Sequence, residues 1–435
     1  MAHRHLAMAA AFALDAALAL ANAPARAATH ADADEQALAL ADALAPDATH
    51  ARSWRGHAEL TWGRTDAGPS TSQGIARGQA TRRASLALHG DGQAAPGWRW
   101  AVAGRLDADD PPQAARAGEH LTLSVQEALL GWQPAPGRSV EFGRIRVQPG
   151  LASGYSPVDF LRAGTLRSSV TLDPVSRKTH RLGQVMLRGQ WLWDGGALAA
   201  LCSPRLATRP STAAFSADLG ATNDRHRLLV SLSPQAGGGL QPQWLVLAEQ
   251  GQPVQAALSL SAVPGQAQVL HLEMAVGRGR DQLARALGEP AVHRTHTRLT
   301  AGGSHTAANR LTLTLEASLN TAAPDAAGWR AVQQGHPQRY AAYRAWVAHA
   351  QELPTRRLLM LLARWPDALA PRLDLSALVQ HDPDDHSRLA WLEARWRLDR
   401  VDVSVQGQWP HGHRGSVFGA PATARGWAVA TRLHF

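Results

Sequence analysis

The chain has 435 residues, with 44 Lys and Arg against 35 Asp and Glu for a net charge of +9, and one cysteine, Cys202. A single cysteine excludes a disulfide framework or a cysteine-built zinc module, and 45% apolar with 18% charged residues excludes a disordered polyelectrolyte. No apolar run of 18 or more occurs beyond the first 30 residues, which excludes helical membrane spans there. All basic residues except Lys178 are arginines, so a nucleic-acid reading of the charge depends on where those arginines fall.

In chain order, residues 1–27 read as a secretory signal. Arg4 gives a short basic start, Leu6 to Ala21 an Ala/Leu-rich stretch, and Ala25-Arg26-Ala27 an A-x-A cleavage pattern. Residues 28–52 form an Ala/Asp-rich lead-in. Residues 53–435 are expected to form the barrel, and from Arg55 onward the apolar pattern has a period of two, the mark of strands with two unlike faces. Leu311, Leu313, Leu315, Ala317 and Leu319 alternate with Thr312, Thr314, Glu316, Ser318 and Asn320; Val401, Val403, Val405, Gly407 and Trp409 alternate with Asp402, Ser404, Gln406 and Gln408. Several runs reach about 10 residues, the length of a tilted strand crossing a bilayer.

Eighteen segments follow from this alternation, at roughly 55–65, 79–89, 97–107, 119–133, 137–147, 183–193, 196–204, 225–233, 242–249, 253–263, 267–277, 291–300, 308–320, 356–365, 370–380, 387–398, 400–409 and 425–435. Alternation is weakest from 242 to 300, and the connection 249–253 is short for its place. Connections after even-numbered strands are short; those at 148–182 and 321–355, after odd-numbered strands, are long. The expected fold is an all-β antiparallel transmembrane barrel of 16–18 strands, with short turns at one end and long loops at the other. Tryptophan placement points the same way. Eleven of the 15 share the apolar parity near strand ends, and Trp98, Trp100, Trp132, Trp191, Trp193, Trp244, Trp365 and Trp396 are expected at the short-turn end as an aromatic girdle.

The chain ends Trp427-Ala428-Val429-Ala430-Thr431-Arg432-Leu433-His434-Phe435. This resembles the C-terminal strand of Gram-negative outer-membrane proteins, with Leu433 and Phe435 at the two signal positions and Ala430 where a glycine is common. The resemblance implies recognition by the barrel-assembly machinery, an outer-membrane location and a periplasmic position for 28–52. A second stretch, Phe142-Gly143-Arg144-Ile145-Arg146 followed by Gly150 to Phe160, is similar to a strand-and-loop segment of porin-like barrels.

On the polar parity lie Arg83, Arg99, Arg105, Arg188, Arg294, Arg298, Arg364, Arg395, Arg397 and Arg432, with Glu393 among the few acids. A lipid-facing Arg at the bilayer midplane costs about 2–4 kcal/mol, so these are expected to line the lumen. They alternate with apolar residues and form no basic block that tracks a phosphate backbone, so nucleic acid is excluded as a partner. The arginines either bias the pore toward anions or pair with lumen acids. The loop 148–182 carries Arg162, Arg167, Arg177, Lys178 and Arg181 against Asp159 and Asp173. By resemblance to general porins it is expected to fold inward as a constriction; the alternative is an ordinary external loop.

Trp329, Tyr340, Tyr343 and Trp346 at helical spacing in 321–355 pack a surface helix or stack on a ligand. His381-Asp382-Pro383-Asp384-Asp385-His386 has cation-ligand residue types but reads equally as a solvated turn. No G-x-S-x-G, H-E-x-x-H or phosphate-binding glycine loop occurs. The expected function is a non-enzymatic, cofactor-free, porin-like channel for passive diffusion of small polar solutes, anions included, in contact with outer-membrane lipid. A lipase-like barrel enzyme and an export or structural barrel with a plugged lumen are the rivals.

Overall fold

The computed structural model describes residues 53–65, 79–110, 120–167, 173–420 and 425–435. The expected signal (1–27) and lead-in (28–52) lie outside the described residues. Eighteen antiparallel strands form one sheet: β1 Ser53–Thr65, β2 Gln79–Ala95, β3 Trp98–Asp110, β4 Leu121–Ala135, β5 Arg138–Ile145, β6 Gln184–Trp193, β7 Gly196–Ser203, β8 Arg227–Pro234 and β9 Leu240–Glu249. The second half comprises β10 Gln255–Gly265, β11 Gln268–Gly279, β12 Arg294–Thr306, β13 Thr312–Asn320, β14 Arg357–Trp365, β15 Leu373–His381, β16 Arg388–Arg397, β17 Val401–His411 and β18 Gly426–His434. Each strand pairs with its sequence neighbours, and β1 pairs with β18 from His57↔His434 to Thr65↔Gly426, which closes the barrel. Reciprocal backbone bonds of 2.8 and 3.0 Å between Gly56 and Phe435 finish that seam. Closure leaves no exposed sheet edge.

Local sequence explains the turns. Gly137 has φ +72, and a Cβ there would lie 2.6 Å from the Leu192 carbonyl oxygen; Pro136 before it presets the turn. The connection 250–254 is short but joins two properly paired strands, β9 and β10, so the count of eighteen stands. Among the described residues, five helices lie in the long connections: α1 Pro174–Thr179, α2 Leu219–Thr222, α3 Gln282–Leu287, α4 Ala326–Gln334 and α5 Pro337–Ala350.

The outward parity is apolar and exposed around the barrel, as at Leu60, Leu130, Leu187, Val230, Leu315, Leu361, Leu392 and Val405. Such a continuous belt is costly in water and suits hydrocarbon. Exposed Trp98, Trp132, Trp191, Trp193 and Trp396 sit near the turn end, joined by Trp54. Trp62, Trp409 and Trp427 mark the loop end, with the Trp62 and Trp427 rings 4.8 Å apart in a T-shape. Trp244 lies further into β9 than a turn-end position requires, and Trp391 points inward, fully buried.

Leu361, mid-strand and outward on β14, gives a test of the belt. Leu361→Arg is expected to destabilise the bilayer-embedded barrel by about 2–4 kcal/mol in reversible denaturant unfolding; an unchanged midpoint contradicts the assignment of that face to lipid.

Candidate functional site

The described parts of the connection from β5 to β6, residues 146–167 and 173–183, run through the barrel interior. On one side it is held by apolar packing. Val158 and Leu161 are buried with Phe160 and Val147 against Leu129, Met186, Leu201, Leu229, Leu245, Leu247, Ala257 and Ala275, inward residues of β4 and β6 to β11. Burying a Val and a Leu contributes roughly 3–6 kcal/mol before ordering costs. These strands therefore have two apolar faces, one toward lipid and one toward the loop. That is why alternation weakens from 242 to 300.

On the other side the loop is held by charge. Glu273 on β11 accepts hydrogen bonds from the backbone N–H groups of Leu151 and Ala152 (2.9 Å for Ala152) and from Ser156 Oγ at 2.6 Å. Glu316 on β13 accepts from Ser153 N at 2.6 Å and Gly154 N at 2.8 Å. Thr300 Oγ1 donates to the Tyr155 carbonyl at 2.7 Å. Charge-assisted bonds of this kind are about twice as strong as neutral ones. The approach is close: a Cβ on Gly154 would lie 2.7 Å from Met360 Sδ on β14, and the methionine side chain would have to shift to admit it.

A second anchor joins the loop to the external helices. Glu352, just after α5, accepts from Tyr155 Oη at 2.6 Å, Asn320 Nδ2 at 3.0 Å, Arg298 at 3.4 Å and Arg162. Burial pushes the Glu352 carboxyl up, but Arg162, Arg298, Tyr155 and Arg285 outweigh it and hold the group below the usual carboxylate range. Gly164 N donates to the His349 carbonyl of α5 at 2.9 Å, and Gln351 Nε2 donates to the Arg162 carbonyl and Thr165 Oγ1. The loop-end aromatics serve packing. Trp329 and Tyr343 are fully buried with Leu389, Val417 and Phe418, Trp329 Nε1 donates to Asp385 at 2.9 Å, and Arg285 lies 5.4 Å from the Trp346 ring centre.

The arginines selected by parity are mostly paired. Arg83 meets Asp109 at 2.5 Å. Arg105 meets Asp107 at 2.7 Å and Glu59 at 3.3 Å, and Arg432 meets Glu59 at 2.5 Å. Arg99 and Arg188 share Glu141, and Arg298 reaches both Glu352 and Gln255. Arg364 meets Asp173 at 2.6 Å, and Arg395 meets Glu393 at 2.8 Å. Arg397 lies near the turn end with Asp374 at 2.8 Å and Asp367 at 3.0 Å. Arg294 is exposed and has no ion pair among the described residues. The counter-charges Asp107, Asp109, Glu273 and Asp374 were absent from the sequence-selected set, although their parity marks them as inward.

The basic loop residues also serve structure. Arg181 pairs with Asp159. Arg167 pairs with Asp218 at 3.3 Å and donates to the Leu123, Ser216 and Ala213 carbonyls. Lys178 Nζ donates to the Ala152 carbonyl at 3.0 Å. Burial pushes the guanidinium of Arg177 down from its usual value, reinforced by neighbouring Arg181.

Where the loop meets the external ends of β8 to β12, a cavity of about 160 Å³ remains, lined among others by Phe160, Arg162, Arg285, Arg298, Glu352 and Trp346. The His381–His386 turn uses its carboxylates internally. Asp382 Oδ1 accepts from Asp384 N at 2.8 Å and Asp385 N at 3.1 Å, Asp384 accepts from Arg357, and Asp385 accepts from Val417 N at 2.6 Å.

No known protein family matches the sequence, and no curated protein matches it. Solved structures do match in shape. OccAB1 of Acinetobacter baumannii superposes with a TM-score of 0.57 at 7% identity, covering 88% of this chain and 96% of that one. A BenF-like porin from Pseudomonas fluorescens Pf-5 gives 0.54 at 10% identity, covering 88% and 98%. OccK8 (OprE) of Pseudomonas aeruginosa gives 0.52 at 10% identity with the same coverage. The fold is that of the porins. In this porin-fold chain the inward loop has its own two-sided attachment, apolar on one wall and ionic on the other.

Replacing both Glu273 and Glu316 by Ala removes five hydrogen-bond acceptances, each charge-assisted bond worth about 1.5–3 kcal/mol. The double variant is expected to give larger and noisier single-channel steps; steps identical to the parent contradict the anchoring role. Asp382 supplies a pH test. Burial, then Asp385 and Asp384, push its carboxyl up to about 7, above the roughly 3.9 of an unfolded Asp. The folded state thus binds the extra proton, and its contribution to stability declines by roughly 4 kcal/mol as pH rises from about 4 to 7. Asp382→Asn should abolish that decline in melting experiments across this range; parallel curves for both proteins contradict it.

Proposed function

We propose that this chain is an outer-membrane channel for passive diffusion of small polar solutes, with a preference for anions. In this reading residues 1–27 direct export, 28–52 lie in the periplasm, the barrel-assembly machinery reads Leu433 and Phe435, and no chemistry is catalysed. The observation that carries it is the inward loop, whose attachment to the lumen wall narrows the barrel as a channel constriction does. Short turns then face the periplasm and long loops the exterior.

The anion preference rests on the cavity at the external mouth. Seven arginines, Arg162, Arg285 and Arg298 among them, line the cavity against four carboxylates, Asp159, Asp224, Glu249 and Glu352, and Arg285, on which both Glu352 and Glu249 act, has no ion pair within 4.0 Å among the described residues. The group carries a surplus of positive charge in a partly dehydrated space, where it acts on a passing ion with little screening. The paired arginines of the wall contribute less because Glu59, Asp107, Asp109 and Glu141 offset them.

Planar-bilayer recording in a salt gradient checks this. Ohmic steps with a reversal potential on the anion side are expected, and Arg285→Gln should move that potential toward the cation side. An unmoved potential removes Arg285 from selectivity. A barrel without current supports a plugged lumen, and calcium-dependent lipid hydrolysis supports the enzyme.

A further inference from the structure

Away from the packed wall, the last part of the inward loop crosses the lumen. At one end Asp173, just before α1, meets Arg364 of β14 at 2.6 Å. At the other end His180, just after α1, meets Arg105 of β3, with Nε2 3.2 Å from Nη1. Leu182 N and Gly183 N then donate to the Thr165 and Gln126 carbonyls at 2.7 and 2.8 Å, which fixes the chain where it turns into β6. Lys178 and Arg181 tie the stretch to the loop itself, through the Ala152 carbonyl and Asp159. The hydrogen bond that joins it to β3 is the one at His180.

That bond admits a single protonation state. A guanidinium only donates and keeps its charge, so His180 Nε2 must accept, and the ring must be neutral with its proton on Nδ1. Arg105 is buried and its other nitrogens are committed. Nε donates to Asp107 at 2.7 Å, and Nη2 donates to Ser85 Oγ at 2.8 Å and Glu59 at 3.3 Å. Among the described residues Nη1 has His180. A proton on Nε2 would remove that acceptor, strand a donor of a buried cation and set a second cation against it.

The surrounding charges do not cancel this cost. Arg105 and Asp107 face the ring from β3, Glu59 from β1 and Arg432 from β18. They are two cations and two carboxylates already paired with one another. Arg146, which donates to the Thr179 carbonyl at 3.1 Å, is paired with Glu127. Burial, and after it Arg105, hold the imidazole down to about 4 against the opposite pull of Glu59 and Asp107; in water it titrates near 6.5. What the contact contributes is therefore complete above about 6.5 and lost as pH falls through about 4.

We propose that the His180–Arg105 contact is an acid-released latch, which holds the loop across the lumen against β3 while the imidazole is neutral and frees residues 177–181 from that wall when it takes a proton. Hydrogen–deuterium exchange of the barrel in detergent, read on the peptide covering 177–181 and corrected for the intrinsic effect of pH, tests it. The parent should exchange there at least about ten-fold faster near pH 4 than near pH 7, with β1 and β3 unchanged. His180→Gln, whose amide oxygen accepts from Arg105 at any pH, should stay slow at both. His180→Arg, which cannot accept, should already be fast near pH 7. Parent exchange that ignores pH overturns the proposal, as does an acceleration that His180→Gln shares. Single-channel steps should grow near pH 4 in the parent and not in His180→Gln; constant steps in a conducting parent overturn the latch as a control of the passage. That readout rests on the channel reading: a parent that conducts at neither pH counts against that reading, and the exchange result still decides the latch.

Discussion

The backbone of residues 151–154 offers four N–H groups in the middle of a barrel, and two carboxylates, Glu273 and Glu316, accept them. Unpaired, such groups would each cost the desolvation of a buried donor. Paired, they fix where the loop crosses, and from that position the rest follows. Val158 and Leu161 reach the apolar wall of β6 to β11, Tyr155 and Arg162 reach Glu352, and the external helices are tied to the loop through His349 and Gln351. The lumen is thereby divided into a packed side and a polar side.

This division reorganises the meaning of the charge. A net +9 spread over arginines suggests a strongly basic pore, yet on the wall Arg83, Arg105, Arg188, Arg395 and Arg432 each meet a carboxylate. Near Glu352 the balance differs, with seven arginines and four carboxylates lining one cavity. Glu352 is ion-paired with Arg162 and Arg298, so that removing either side would leave a buried charge uncompensated, and the neighbouring Arg285 stacks on Trp346 with Glu352 and Glu249 acting on its charge.

All eighteen strands were legible because a residue on a membrane barrel wall must suit either lipid or lumen, and a period of two writes that choice into the chain. Phe435 and Leu433 were legible as a pattern, and the β1–β18 seam shows what that terminus closes. The inward path of the loop was expected only by resemblance, since backbone N–H donors leave no trace in side-chain type. Glu273 stood in the stretch where alternation was faint, because Leu245 and Leu247 are apolar inward residues covered by the loop rather than by water. Pairing partners such as Asp107 and Asp109 were readable by parity, but which Arg each would meet depends on register, and that the sequence does not state.

The central claim, that residues 151–154 are held against the wall of β11 to β14, has a direct test. With Cys202 replaced by Ser, cysteines at Gly154 and Met360, whose side-chain positions adjoin, should form a disulfide on mild oxidation of the membrane-embedded barrel. The bond should be visible as altered mobility of the unfolded chain that reductant reverses. Two thiols that stay free and label independently would show the loop elsewhere and contradict the account.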